Sequence, residues 1–198
     1  MPTRTKRSAN TEGRMSLGHH LLELRKRLFR SALGIVVGGV IGFVLSEPIL
    51  SLLQAPIEQI AQSRNATLNF DTITGAFDLR MQIAIYVGII ISSPVWLYQV
   101  FAFIVPGLTS KEKRYTFGFF FSAVPLFLAG CAAGFFVFPH IVELLAGFAP
   151  SDTASIFQAK YYVDFATKLV LAVGIAFVLP VFVVLLNFMG VLSAKAIL

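Results

Sequence analysis

Two acids set among clustered bases are the residues best suited to chemistry here. Glu112 is the single acid in Lys111-Glu112-Lys113-Arg114, and Glu23 stands just ahead of Arg25-Lys26-Arg27. A carboxylate in a partly dehydrated layer can take a guanidinium through two parallel hydrogen bonds, so either acid could receive an arginine-bearing peptide. Each also has a local role open to it. Thr109-x-x-Glu112 fits a capping box at a helix start. Glu23 and Arg27 stand at i, i+4 with the acid N-terminal, which is the favourable order. Of the three histidines, His19 and His20 are adjacent and His140 is far along the chain. No metal-ligand spacing, nucleophile elbow or Gly-rich phosphate loop occurs. Neither an enzyme nor a cofactor or metal is expected. Cys131 is alone, which excludes an intramolecular disulfide.

The elements that must position these acids are apolar. The 198 residues are 57% hydrophobic and 13% charged, with a mean hydropathy of +0.80, whereas soluble domains carry about a quarter charged residues. Ser31–Ser46, Met81–Ser110, Tyr115–Val142 and Leu169–Ala194 contain no Asp, Glu, Lys or Arg. A membrane-spanning helix needs about 20 mostly apolar residues. Three of these stretches reach that length and the first does so with its flanks. The expectation is an all-α, polytopic membrane protein with four transmembrane helices in this chain. Half of the sixteen Lys and Arg residues lie within residues 1–30, and Lys111, Lys113, Arg114 and Lys195 fall on the same side of a four-span arrangement. Only Arg64, Arg80, Lys160 and Lys168 fall on the other. The positive-inside rule places the N-terminus and the loop at 105–116 in the cytoplasm. The net charge of +6 is thus an orientation signal, and no nucleic-acid partner is needed to explain it.

Along the chain, residues 1–15 read as a disordered basic tail and 16–198 as one membrane domain. Its spans are expected at about 28–48, 81–105, 114–139 and 165–190, with outside segments 49–80 and 140–164 and a cytoplasmic loop at 106–113. Leu21, Leu24 and Leu28 recur at helical spacing behind Ser16, which can cap it, and predict a helix leading into the first span. Gly34, Gly38, Gly39 and Gly42 offer small faces for close helix approach. In the first outside segment Leu50, Leu53, Ile57 and Ile60 predict a helix, broken or kinked at Ala55-Pro56, followed by a turn at Ser63–Thr67. Pro94 predicts a kink in span two, Pro106-Gly107 ends it, and Trp96 and Tyr98 belong at the interface. Phe138-Pro139 closes span three, a short helix follows around Ile141–Leu145, and Pro180 kinks span four.

Two stretches carry a resemblance to a known family. His20-Leu21-Leu22-Glu23-Leu24-Arg25-Lys26-Arg27 is similar to the N-terminal signature of the TatC family, the signal-peptide receptors of twin-arginine translocation. Ser93-Pro94, Tyr98-Gln99, Phe103, Pro106-Gly107-Leu108 and Glu112-Lys113-Arg114 resemble its first cytoplasmic loop. Ala55-Pro56, Phe138-Pro139 and Pro180 also fall where that family has them. The resemblance implies a non-enzymatic receptor for paired-arginine signal peptides in a bacterial or archaeal cytoplasmic membrane, serving export of folded proteins on the proton-motive force. It implies that Glu112 contacts the arginine pair with help from Glu23, that Arg25, Phe103 and Arg114 shape the same surface, and that Pro56 supports the outer segment. It implies single-span partners of the TatA/TatB type and an oligomeric translocase complex.

Two departures stand out. Many relatives carry a membrane-embedded Glu two residues before the proline of span four, where this chain has Val178. The family has six spans and this chain four, so a fragment is expected. The alternative is a small secondary transporter or channel subunit. That class wants an ionisable residue near the bilayer midplane, and these spans offer none. A redox subunit would need paired intramembrane histidines.

Overall fold

The computed structural model describes residues 17–64, 67–70, 72–104, 110–148 and 156–188. The basic tail and the Pro106-Gly107 loop lie outside the described residues. Helix α1 (Leu17–Val44) is followed after Leu45 by α2 (Ser46–Arg64). The sequence turns there because Ser46, 1% exposed, donates from Oγ to the Phe43 carbonyl at 2.6 Å. Glu47 meets the positive end of the new helix, and Pro48 sits in the first turn, where its missing N–H is tolerated. Helix α2 runs without a break through Ala55-Pro56, against the expectation from sequence. Leu53 and Ile57, each 3% exposed on either side of that proline, hold the helix to its neighbours across the missing hydrogen bond.

Helices α3 (Gly75–Ile91) and α4 (Ser93–Ile104) are joined at Ser92 with a bend of 56°. The expected kink is therefore a full break two residues ahead of Pro94. Pro94 has no N–H to continue the hydrogen-bond ladder of α3, so that helix stops ahead of Ser92 and the chain restarts with Pro94 inside the first turn of α4. The Ser92 carbonyl accepts from Val95 and Trp96 at 2.8 and 3.1 Å. The Trp96 indole donates to the Ile89 carbonyl at 2.8 Å, so this ring is fitted into the break. Helix α5 (Ser110–Gly147) continues through Pro139, which the sequence suggested as its end, and absorbs the short helix expected beyond. Phe138, 1% exposed, anchors that turn. Helix α6 (Ala159–Phe188) contains Pro180. Among the described residues three helices are long and apolar enough to cross a membrane, and α3 with α4 makes a fourth if the bent pair is one span.

Two helix pairs approach through glycine. A Cβ on Gly38 would stand 2.6 Å from the Gly88 carbonyl oxygen, so α1 and α3 touch backbone to backbone. A Cβ on Gly130 would meet Gly174 Cα at 2.9 Å, which brings α5 and α6 together in the same way. Small residues permit this approach in lipid, where association rests on van der Waals packing. The core has two parts. One joins Leu53 and Ile57 of α2 to Leu79, Ile83, Phe138, Val142 and Val163. The other joins Leu97 and Phe101 of α4 to Ala123, Phe127, Val178 and Leu185. A short parallel ladder, β1 (Thr67–Asn69) with β2 (Ile156–Gln158), ties the two outside segments together. The sequence had suggested a turn where β1 begins.

Candidate functional site

The site is built where the basic end of α1 meets the last turns of α4. Along α1 the side chains turned to neighbouring helices recur at three- and four-residue spacing: His20, Glu23, Arg27 and Ser31, then Gly34 and Gly38. The stripe is polar at the end that the charge distribution assigns to the cytoplasm and glycine above it. Leu21, Leu24 and Leu28, whose spacing predicted this helix, lie off the stripe and are 64%, 42% and 66% exposed. In a bilayer this inversion is physically sound, because lipid tails are as apolar as leucine and exert no demand that such side chains be hidden.

Among the described residues, Gly34 of α1 packs on Val95 of α4, and a ring stack and a shared guanidinium join the two helices nearer the start of α1. The His20 ring stacks on Phe103, with centroids 4.3 Å apart and planes 28° apart. Arg27 donates from Nε at 3.1 Å and from Nη2 at 2.5 Å to the same oxygen of Glu23, while its Nη1 lies 3.5 Å from Gln99 Oε1. Arg27 and Glu23 are only 18% and 20% exposed, so this pair is far better shielded than an ordinary surface ion pair. Ser31 Oγ donates to the Arg27 carbonyl at 3.1 Å.

Helix α4 is in turn held from behind. Leu97 and Phe101 are 0% and 2% exposed. Phe101 stacks on Phe182 of α6 with centroids 4.9 Å apart, and Tyr98 meets the edge of Phe120 of α5 at 5.6 Å. Such pairs contribute about 0.5–1.5 kcal/mol each beyond their buried area. The ring of Phe103 and the amide of Gln99 are thereby presented toward α1 on a fixed support.

The structure brings together Glu23, Gln99 and Phe103 of the expected residues. Arg25 is on the exposed side of α1, because residues two apart on a helix do not share a face. Glu112 and Arg114 belong to the first turns of α5, and their side chains lie outside the described residues. A helix beginning at Ser110 puts Glu112 at its third residue, the position a capping box requires. Pro56, Pro139 and Pro180 all lie inside helices, and Pro94 opens α4. His20 and Arg27 are part of the same cluster and were not singled out as site residues. The signal for them was the polar i, i+3, i+7 spacing through Glu23. Val178 is 3% exposed among apolar side chains, a position where an ionised carboxylate would be costly without a partner. Among the described residues no group of His, Cys, Asp or Glu could hold a metal ion.

Comparison with known proteins gives a consistent picture. A family model described as Sec-independent protein translocase protein (TatC) matches residues 19–198. The protein of that name from Xylanimonas cellulosilytica is 43% identical over 186 residues, covering 93% of this chain and 67% of the relative. The one from Rothia mucilaginosa is 37% identical over 195 residues, covering 97% of this chain and 67% of the relative. A crystal structure of the twin-arginine translocase receptor TatC superposes with a TM-score of 0.80 at 32% identity, covering 89% of this chain and 78% of that one.

Proposed function

The chain belongs to the TatC family, and from that premise we propose that it is the signal-peptide receptor subunit of a twin-arginine protein translocase. It is a multi-pass protein of the cytoplasmic membrane and a non-enzymatic transport component. Its task is to bind paired-arginine signal peptides at the cytoplasmic face, for export of folded proteins driven by the proton-motive force. The observation that carries this reading is the meeting of two sequence-distant motifs on one surface. His20 on Phe103 and Arg27 between Glu23 and Gln99 join the start of the chain to the segment that leads into Glu112.

The division of labour follows from the chemistry. Glu112 is the acid to which we assign the arginine pair, since it stands alone among bases at the start of α5. Glu23 offers a second carboxylate, with Phe103 providing an apolar and π surface beside it. Arg25 and Arg114 keep the surroundings basic, which disfavours peptides that lack a bidentate match. Pro56 supports the outer segment from within α2. Single-span subunits of the TatA/TatB type and an oligomeric complex complete the proposal. A twin-arginine peptide carrying a photoreactive group tests it directly. In membranes holding the full chain, labelling should depend on both arginines and vanish for the twin-lysine peptide. Equal labelling by both peptides would remove the receptor reading.

A further inference from the structure

The acid that the proposed function offers to an incoming arginine already holds one. Arg27 places two donors on Glu23 Oε1, at 3.1 and 2.5 Å, in a pocket that leaves the two side chains 18% and 20% exposed. The third nitrogen of the same guanidinium faces Gln99 Oε1 at 3.5 Å, across to α4. A guanidinium is a planar fork with five donors and is charged at every relevant pH. One end of this fork sits on the carboxylate and the other reaches a neutral acceptor 72 residues away in sequence.

We propose that Arg27 is a built-in stand-in for the signal peptide's arginine. At rest it occupies Glu23. When a peptide guanidinium takes the carboxylate, Arg27 is displaced toward Gln99, whose amide oxygen keeps one of its donors satisfied. The inference rests on the receptor reading above and adds an affinity threshold to it. An occupied carboxylate sets a threshold that a challenger must exceed. A peptide arginine meets it with an equivalent fork, whereas a lysine offers a compact point charge without the planar match. The competitor lowers the affinity of both peptides by the same factor, so the arginine peptide, with the stronger contacts of its own, stays in the working range while the lysine peptide falls out of it.

A pair that only staples α1 to α4 and a pair that competes with ligand make opposite predictions. For a staple, losing either Arg27 or Gln99 loosens the face and weakens peptide binding. For a competitor, the two changes have opposite signs. The test measures equilibrium binding of a fluorescent twin-arginine peptide and its twin-lysine counterpart to the full chain in lipid nanodiscs. Arg27→Gln is expected to tighten both the twin-arginine and the twin-lysine peptide about fivefold, equivalent to ~1 kcal/mol, since the competitor taxes both alike. Gln99→Leu, which removes the acceptor that receives Arg27, is expected to weaken the twin-arginine peptide about threefold. Arg27→Lys keeps the charge, gives up the fork and should fall between wild type and Arg27→Gln. It carries the same test if Arg27→Gln does not fold. Weaker or unchanged binding in both Arg27 variants, with wild type still selecting arginine over lysine, would overturn the inference and leave the receptor reading intact. Wild type that binds neither peptide would overturn the receptor reading itself.

Discussion

The outer end of the molecule and its cytoplasmic end use the same helices but different chemistry. At the outer end Leu53, Ile57, Leu79, Ile83, Phe138 and Val163 are all nearly inaccessible, the Tyr162 hydroxyl donates to the Leu53 carbonyl at 2.6 Å, and the β1–β2 ladder joins the two outside segments. At the cytoplasmic end α1 meets α4 through one ring stack and one guanidinium shared between a carboxylate and an amide. Apolar burial and a buried hydroxyl bond have no good substitute outside the protein. A stack and an ion pair can be replaced, donor for donor, by a ligand that carries a ring or a guanidinium. The difference teaches where rigidity and where exchange can reside: the outer end fixes the helices, and the proposed peptide site uses the end whose contacts a ligand can replace.

That contrast can be broken from either side. The largest effect is expected at Glu112→Ala, which should abolish photocrosslinking of a twin-arginine peptide, a loss of at least ~100-fold. The thermal midpoint in detergent should drop only slightly. Crosslinking that survives would leave Glu112 with its capping role alone. Gly88→Val comes next, at the closest approach of α1 and α3. A Cβ there would stand 2.6 Å from the Gly39 backbone nitrogen, so the helices must separate. Thermal unfolding should report a loss of about 1–3 kcal/mol, although valine for glycine at an open helix site would be favourable. Tyr162→Phe should lower stability by about 1 kcal/mol, the usual worth of one hydrogen bond, and leave peptide crosslinking untouched. A loss of peptide binding in that variant would mean that the two ends are not separable. The smallest change is expected for Glu23→Gln, about threefold weaker crosslinking, because Arg27 already occupies that acid. A loss as large as that of Glu112→Ala would reverse the ranking.

These expectations also mark what the sequence made legible. The helices were readable because charge-free stretches in a membrane chain leave little else to form, and the glycine positions of α1 pointed to the close approach that Gly38 and Gly88 make. The orientation of α1 was not readable. Apolar periodicity at Leu21, Leu24 and Leu28 marked a helix without saying which side packs; those leucines are exposed, and the polar His20, Glu23 and Arg27 face the protein. In lipid the usual rule that apolar means inside has no force. The prolines act unequally: Pro94 breaks the chain, whereas Pro56 and Pro139 stay within helices because Leu53, Ile57 and Phe138 pack beside them. The β1–β2 ladder leaves no signal in the sequence because strands of three residues are too short to show alternation. At the site, the Glu23–Arg27 pair was visible as an i, i+4 spacing. Its link to Gln99 was not, since nothing local announces a partner on another helix.

The central claim is that α1 and α4 present one arginine-reading surface at one end of the molecule. A photoreactive residue installed at Leu24 of α1, at Ala102 of α4, or at the exposed Phe77 of the outer end measures this most directly. Probes at Leu24 and Ala102 should both capture the same twin-arginine peptide and neither should capture its twin-lysine form, while the probe at Phe77 captures nothing. Capture from only one of the two helices, or from both irrespective of arginine, would contradict the account.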